Sequence, residues 1–364
     1  MSSEKPTSST HLINSYHEFW HWFESRAQEF YDVIRSGKDV EEKFINIFAP
    51  ELDSVEPRVF FLVGMDKDKK AELVFTPDGI IKNVLWAEKI VAAAPAIDNW
   101  KFRALKPESN NEDFAIRMHD LQFDKENIKF YPILHDNYPD KIDLMFVYDS
   151  YHEESREEIL NGIFIFLDNY LGEETMIQCI DKIDVRGPLN LQEELIPLNK
   201  LVDYIKWREK EFVEKYQDVR HDSSDDRFSG FEGTVEGGKP ILSTINTSVL
   251  DWDYKASHPW ILVIMNAYDA ETEAGFPNPE TYEDISKLEE DLEAELPSID
   301  GYIFLGSETV DGLRETFIAC REFRKATEVM KRLLQKYQSQ LNLSFDFFKD
   351  KYWQSFERYR MDLP

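Results

Sequence analysis

Cysteine is scarce in this chain. There are two residues, Cys179 and Cys320, far apart and each set among apolar neighbours. Thiols so placed supply neither a disulfide framework nor a cysteine zinc site, and buried free thiols are the plain expectation. Long apolar runs are missing as well. The longest, near residues 260–265, falls far short of the ~20 residues that a membrane-crossing helix needs. The opening MSSEKPTSSTHLIN has no apolar stretch of the secretory kind. No G-x-S-x-G occurs, so a serine triad has no anchor. GGKP at 237–240 lacks the Ser or Thr and the strand-to-helix setting of a phosphate loop, and a hairpin turn accounts for it. Basic residues are outnumbered, 42 Lys and Arg against 71 Asp and Glu, for a formal charge of -29. Phosphate backbones would be repelled by most of such a surface. The expectation is a cytoplasmic protein with no direct nucleic-acid contact, no membrane association and no cofactor, and with a charge suited to a basic partner.

The 364 residues are 42% hydrophobic and 14% aromatic, enough for two or three cores. Residues 1–12 are Ser/Thr-rich and read as a disordered tail. The rest divides into an N-terminal α+β domain (13–187), a helical connector and linker (188–227) and a C-terminal domain (228–364). Tyr16, Trp20, Phe23, Ala27, Phe30 and Ile34 recur at three and four and predict a helix over about 15–36, closed by Gly37. Two later passages each read strand, strand, helix, strand: 58–63, 72–76, 80–93 and 100–105, then 128–134, 143–148, 153–171 and 175–183. This order suggests a duplicated ββαβ unit in one mostly antiparallel sheet with helices on one face, although the two sequences are too different to establish a repeat. The last 105 residues give β-α-β-β-α-β, the ferredoxin-like arrangement. Asp311-Gly312 marks a tight hairpin turn within it. The fold class is therefore α+β.

Few residues suggest chemistry. His17-Glu18-Phe19-Trp20-His21 has the H-E-x-x-H form that can hold zinc. Ser15 and Glu18 also fit a capping box, the two histidines flank the apolar stripe, and no third ligand is signalled. An ordinary helix start is the expectation, with metal at His17 and His21 as the alternative. If Asp311-Gly312 is a two-residue turn, Thr309 faces Arg314 and Glu308 faces Glu315, crowding four polar groups at one hairpin end. They suit cation binding or acid–base work, or simply solvated cross-strand pairs. Asp251, His258 and Trp260 precede or open a central strand, where His258 beside Trp260 lines a pocket or anchors a loop. The predicted helix at about 280–295 carries Glu280, Glu283, Asp284, Glu289, Glu290, Asp291, Glu293 and Glu295 against one base, Lys287. Such a field is a solvated face or a docking surface for a basic protein.

The segments FEGTVEGGKPILSTIN, DWDYKASHPWILVI and GYIFLGSETVDGLRETFIACREFRKA resemble the bacterial domain of unknown function 695 family. FWHWFESRAQEF, ELVFTPDGIIKNVLWAEKIVAAAP and WKFRALKP resemble the domain that often precedes it. The aromatic element of that N-terminal pattern falls here on Phe19, Trp20, Trp22 and Phe23, without His17 or Glu18. The C-terminal domain is also similar to the regulator of ribonuclease E activity B, a small acidic inhibitor with a ferredoxin-like fold. That resemblance implies protein binding without catalysis and transfers no specific residue.

The expected function is that of a non-enzymatic binding or regulatory module that docks a basic protein through acidic helices. The alternative is a hydrolase using Glu308 and Glu315 or a zinc at His17 and His21. A structural partner in an oligomer is a third reading.

Overall fold

The computed structural model describes residues 15–109, 114–235, 237–270 and 275–360. The Ser/Thr-rich start, expected to be disordered, lies outside them. The chain forms two compact units, residues 1–108 with 172–174, and residues 109–171 with 175–364. Each is α+β. Among the described residues no helix is long and apolar enough to cross a membrane.

The first unit opens with α1 (Tyr16–Ser36). Ser15 is extended, and its hydroxyl accepts from the Glu18 N–H at 3.2 Å, satisfying a donor that the first turn leaves free. Gly37 takes the left-handed conformation (φ 64°) and returns its N–H to the carbonyls of Val33 and Ile34. The predicted stripe is buried from Trp20 to Ile34, with Tyr16 half-buried at its start, and Phe19 and Tyr31 widen it. Beyond a short π-helical turn comes α2 (Asn46–Val55). Next come β1 (Phe60–Met65), β2 (Ala71–Thr76), α3 (Val84–Ala92) and β3 (Trp100–Ala104). The core is built from rings, including Phe19, Trp20, Phe23, Phe44, Phe48 and Trp100. Each such side chain contributes about 2 kcal/mol on burial. The two indole N–H groups are satisfied by backbone: Trp20 donates to Ile90 O at 2.8 Å and Trp100 to Ala27 O at 3.0 Å.

The second unit starts with a short hairpin, β4 (Ala115–Met118) and β5 (Leu121–Asp124), that sequence periodicity does not reveal. It continues through β6 (Ile128–Ile133), β7 (Asp143–Tyr148), α4 (Arg156–Tyr170), α5 (Glu173–Cys179), β8 (Lys182–Arg186), β9 (Ile196–Pro197) and α6 (Leu201–Tyr216). The strand expected at 175–183 is a correction. Glu173 and Glu174 stand in the first turn of α5, where the helix dipole favours acids, and the strand forms later as β8. The single N-terminal sheet is corrected too. One sheet has the order β1-β2-β3 and another β8-β7-β6-β9. Each ββαβ passage folds as its own antiparallel hairpin (β1 with β2, β6 with β7), followed by a parallel return strand beyond a helix (β3, β8). The two passages thus share one connectivity. Leu201 and Ile205 of α6 are buried in the core under β6, β7 and α4, so the charged helix of the 188–227 stretch is integral to this unit.

The remaining elements are β10 (Phe228–Thr234), β11 (Pro240–Asn246), β12 (Trp260–Ala267), α7 (Pro279–Glu295), β13 (Tyr302–Val310), β14 (Leu313–Cys320), α8 (Arg324–Tyr337) and β15 (Asn342–Lys349). They make a six-stranded sheet, β10-β11-β13-β14-β12-β15, with every neighbouring pair antiparallel. β12 and β13, joined through α7, are split by β14. Asp311 (φ 44°) and Gly312 (φ 81°) form the two-residue turn. A register shift between Phe304 and Gly306 bends β13 beside β11. Gly306 (φ 139°) is required there, since a Cβ would meet Thr244 O at 2.1 Å.

Candidate functional site

The hairpin register is as the sequence implies: Glu308 opposes Glu315 and Thr309 opposes Arg314. The four groups do not share one site, however. Neighbours along a strand point to opposite faces, so the expected cluster is two clusters. On the helix side, Glu289 of α7 takes both Arg314 nitrogens (2.9 and 3.1 Å) and the Thr316 hydroxyl (3.1 Å), while Arg314 also donates to Thr309 Oγ1 at 3.0 Å. On the other side, buried Glu308 accepts from Tyr359 Oη at 2.6 Å and pairs with Arg358. Ser243 of β11 lies 3.0 Å from the same tyrosine oxygen. The arginine that serves the carboxylate pair is therefore Arg358, from the end of the chain. Burial, and then the charge of Glu308, raise the Glu315 carboxyl above its ordinary range.

The segment from β10 through the terminal turn at Tyr359 thus closes on itself around Glu308. Residues 231–359 match the family of unknown function DUF695. No curated protein and no solved structure matches the chain. The three DUF695-like stretches read from the sequence fall largely inside that segment.

Within the DUF695 segment, Asp251 is exposed and pairs with Arg360. Trp260 is buried, its ring edge-on to Phe323 at 5.1 Å. His258 is fully enclosed. Its Nδ1 meets Ser257 Oγ at 2.8 Å, and its backbone carbonyl accepts the Trp353 indole at 3.0 Å. Its Nε2 is buried with no hydrogen-bond partner among the described residues. Burial, and then the nearby Arg321 charge, pull this imidazole down to about 3. The acids of α7 are less free than their number suggests. Asp291 pairs with Lys336 and Glu295 with Arg332, both on α8; Glu283 and Asp284 pair with Lys287; Glu289 is bound to Arg314. Glu280, Glu290 and Glu293 remain exposed with no ion pair among the described residues.

In the first unit, His17 and His21 are exposed on α1, their ring centroids 4.8 Å apart. His21 lies 3.8 Å from Glu24. Among the described residues no group of three His, Cys, Asp or Glu side chains is gathered as a metal would require.

One cluster in the second unit has no mark in the sequence. Asp181, Lys349 and Lys351 are buried together, with Lys351 Nζ 2.7 Å and Lys349 Nζ 3.2 Å from the Asp181 carboxylate. Lys349 also caps the end of α5, donating to the carbonyls of Gln178 (2.8 Å) and Ile180 (3.0 Å). Asp140 beside it accepts from Tyr352 (2.6 Å), Tyr216 (2.7 Å) and Lys215 (2.9 Å). Burial opposes ionisation of Asp181, but the two lysines outweigh it and hold the carboxyl below its ordinary value. For Lys349 burial dominates and lowers the ammonium. This seam ties β15 and the turn after it to the α5–β8 region. Next to it lies a cavity of roughly 220 Å³, walled by Phe212, Val213, Cys179 and Trp260 and carrying Arg208 and Arg321. His258, the residue the sequence offers for a pocket, is not in this lining, whereas its neighbours Ser257, Pro259 and Trp260 are.

Proposed function

We propose that this chain is a non-enzymatic binding protein and that its C-terminal domain, of ferredoxin-like arrangement, docks a basic protein partner. The split β-α-β-β-α-β order with an all-antiparallel sheet supports the ferredoxin-like reading. The likeness to the regulator of ribonuclease E activity B supports a regulatory role through that topology and the acidity of the domain.

The observation that carries the docking reading is the outer side of α7. Glu280, Glu290 and Glu293 are exposed with no ion pair among the described residues, and Tyr282, 56% exposed, stands three turns from Glu293 on the same line of the helix. Exposed acids on a helix that also presents an aromatic ring offer a basic partner both steering and an anchor. Of the carboxylates of the hydrolase alternative, Glu308 is held by Arg358 and Tyr359, and neither it nor Glu315 lines the cavity beside the seam.

The test is affinity capture from a lysate of the source cells at low and high salt, with the captured protein identified. The reading expects a basic protein retained at low salt, released at high salt, and lost from a variant carrying Glu280→Lys, Glu290→Lys and Glu293→Lys. Equal capture by that variant, or capture indifferent to salt, sinks it.

A further inference from the structure

The cavity beside the seam has a composition that the surrounding fold does not explain. Its walls are apolar on several sides, through Phe212 and Val213 of α6, Cys179 of α5 and Trp260 of β12. The charged lining is Arg208, Arg321 and Lys351 with the acids Asp140 and Glu209, and neither guanidinium has an ion-pair partner among the described residues. Arg208 donates to the Tyr204 hydroxyl (3.1 Å) and to the carbonyls of Pro139 (2.5 Å) and Lys141 (3.2 Å). Arg321 donates to the carbonyls of Tyr216, Gln217 and Val219, and its Nε is buried with no acceptor among the described residues. The nearby acids differ in their freedom. Asp140 already accepts from two tyrosines and a lysine, and Glu209 is exposed. Arg321 feels the charge of Asp218 through space but makes no ion pair among the described residues, and a partly buried cation without a direct counter-charge is costly.

We propose that this cavity is a binding site for a small amphipathic anion, a compact apolar body bearing one carboxylate or phosphate. The acidic group supplies the direct ion-pair partner that Arg321 lacks. The apolar body lies against Phe212, Trp260 and Val213. The volume matches about seven waters, which suits a single-ring ligand. Val213, 49% exposed on α6, stands at the mouth. This site is independent of the α7 surface and stands or falls without it.

The experiment uses the full chain with three probes of one size: benzoate, phenyl phosphate and benzylamine. Binding is read by ligand-observed NMR and calorimetry up to about 10 mM, the weak limit of useful affinity. The proposal expects one-to-one binding of benzoate or phenyl phosphate, and binding of benzylamine at least tenfold weaker. Val213→Trp, which plugs the mouth from a half-exposed position, is expected to abolish anion binding while the far-ultraviolet spectrum and melting temperature stay near those of the parent. Arg321→Met is expected to weaken the anions at least tenfold. Should Arg321→Met fail to fold, Val213→Trp decides alone. No binding of either anion, equal binding of benzylamine, or unchanged binding by a folded Val213→Trp variant would overturn the site.

Discussion

The outer side of α7 and the seam at Asp181 are both rich in charge, and they use it in opposite ways. On α7 the carboxylates stand in water. Several are paired with flexible lysines and arginines, and exposed pairs of that kind contribute little to stability. At the seam, two buried ammonium groups each lie within 3.2 Å of one buried carboxylate and are completed by backbone carbonyls. Removing any one of them there strands the others in a poor solvent. The number of charges is therefore a poor guide to which ones hold the molecule together. Eight acids on one helix draw the eye in the sequence, yet one aspartate elsewhere carries the larger mechanical role.

The sharpest way to break this comparison is at the seam. Asp181→Asn leaves Lys349 and Lys351 buried without a counter-charge and is expected to cost about 3–5 kcal/mol, read as a lower urea midpoint. Replacing all three together with apolar residues of similar volume is expected to recover most of that loss, because the penalty lies in the stranded charge.

A second effect belongs to His258. Its folded value lies near 3, below the ordinary 6.5, so the unfolded chain binds the extra proton between those limits. Its contribution is complete above pH 6.5 and is lost as pH falls toward 3, at about 1.4 kcal/mol per pH unit. The window from 6.5 down to about 5 lies above most carboxylate titration. Urea midpoints there are expected to fall in the parent and to stay flatter in His258→Gln.

Smaller again is Arg314→Met, which leaves Glu289 without its two-pronged partner in a half-buried setting. A loss of about 1–2 kcal/mol is expected in the same denaturation assay. Smallest is neutralisation of Glu280, Glu290 and Glu293 to glutamine on α7, with a stability change within about 0.5 kcal/mol. A large destabilisation from that variant would erase the distinction between the two regions.

What the sequence discloses follows from what is local. Helix α1 is legible to its caps, since Ser15, Glu18 and Gly37 act within a few residues of where they sit. The β13–β14 register is legible because Asp311-Gly312 fixes a two-residue turn. The 175–183 stretch misleads because Thr-Met-Ile-Gln-Cys-Ile has strand-like composition, and the acids that start a helix stand just before it. Strand alternation alone separates Glu308 from Thr309, so the two hairpin faces were within reach of the sequence. Arg358, Tyr359, Asp181 and Lys349 were not. Their partners lie tens to hundreds of residues away, and a lysine bound for a buried ion pair looks in sequence like any surface lysine.

The most direct test of the account is hydrogen exchange of Asp181→Asn, read by mass spectrometry on peptides from the two larger sheets of the second unit. If the seam charges bind β15 to the α5–β8 region as one body, protection falls together in peptides covering β7 and β8 and in those covering β14 and β15. It stays unchanged in both when Glu290→Lys is made on α7. Loss confined to one sheet, or an equal loss from Glu290→Lys, would contradict it.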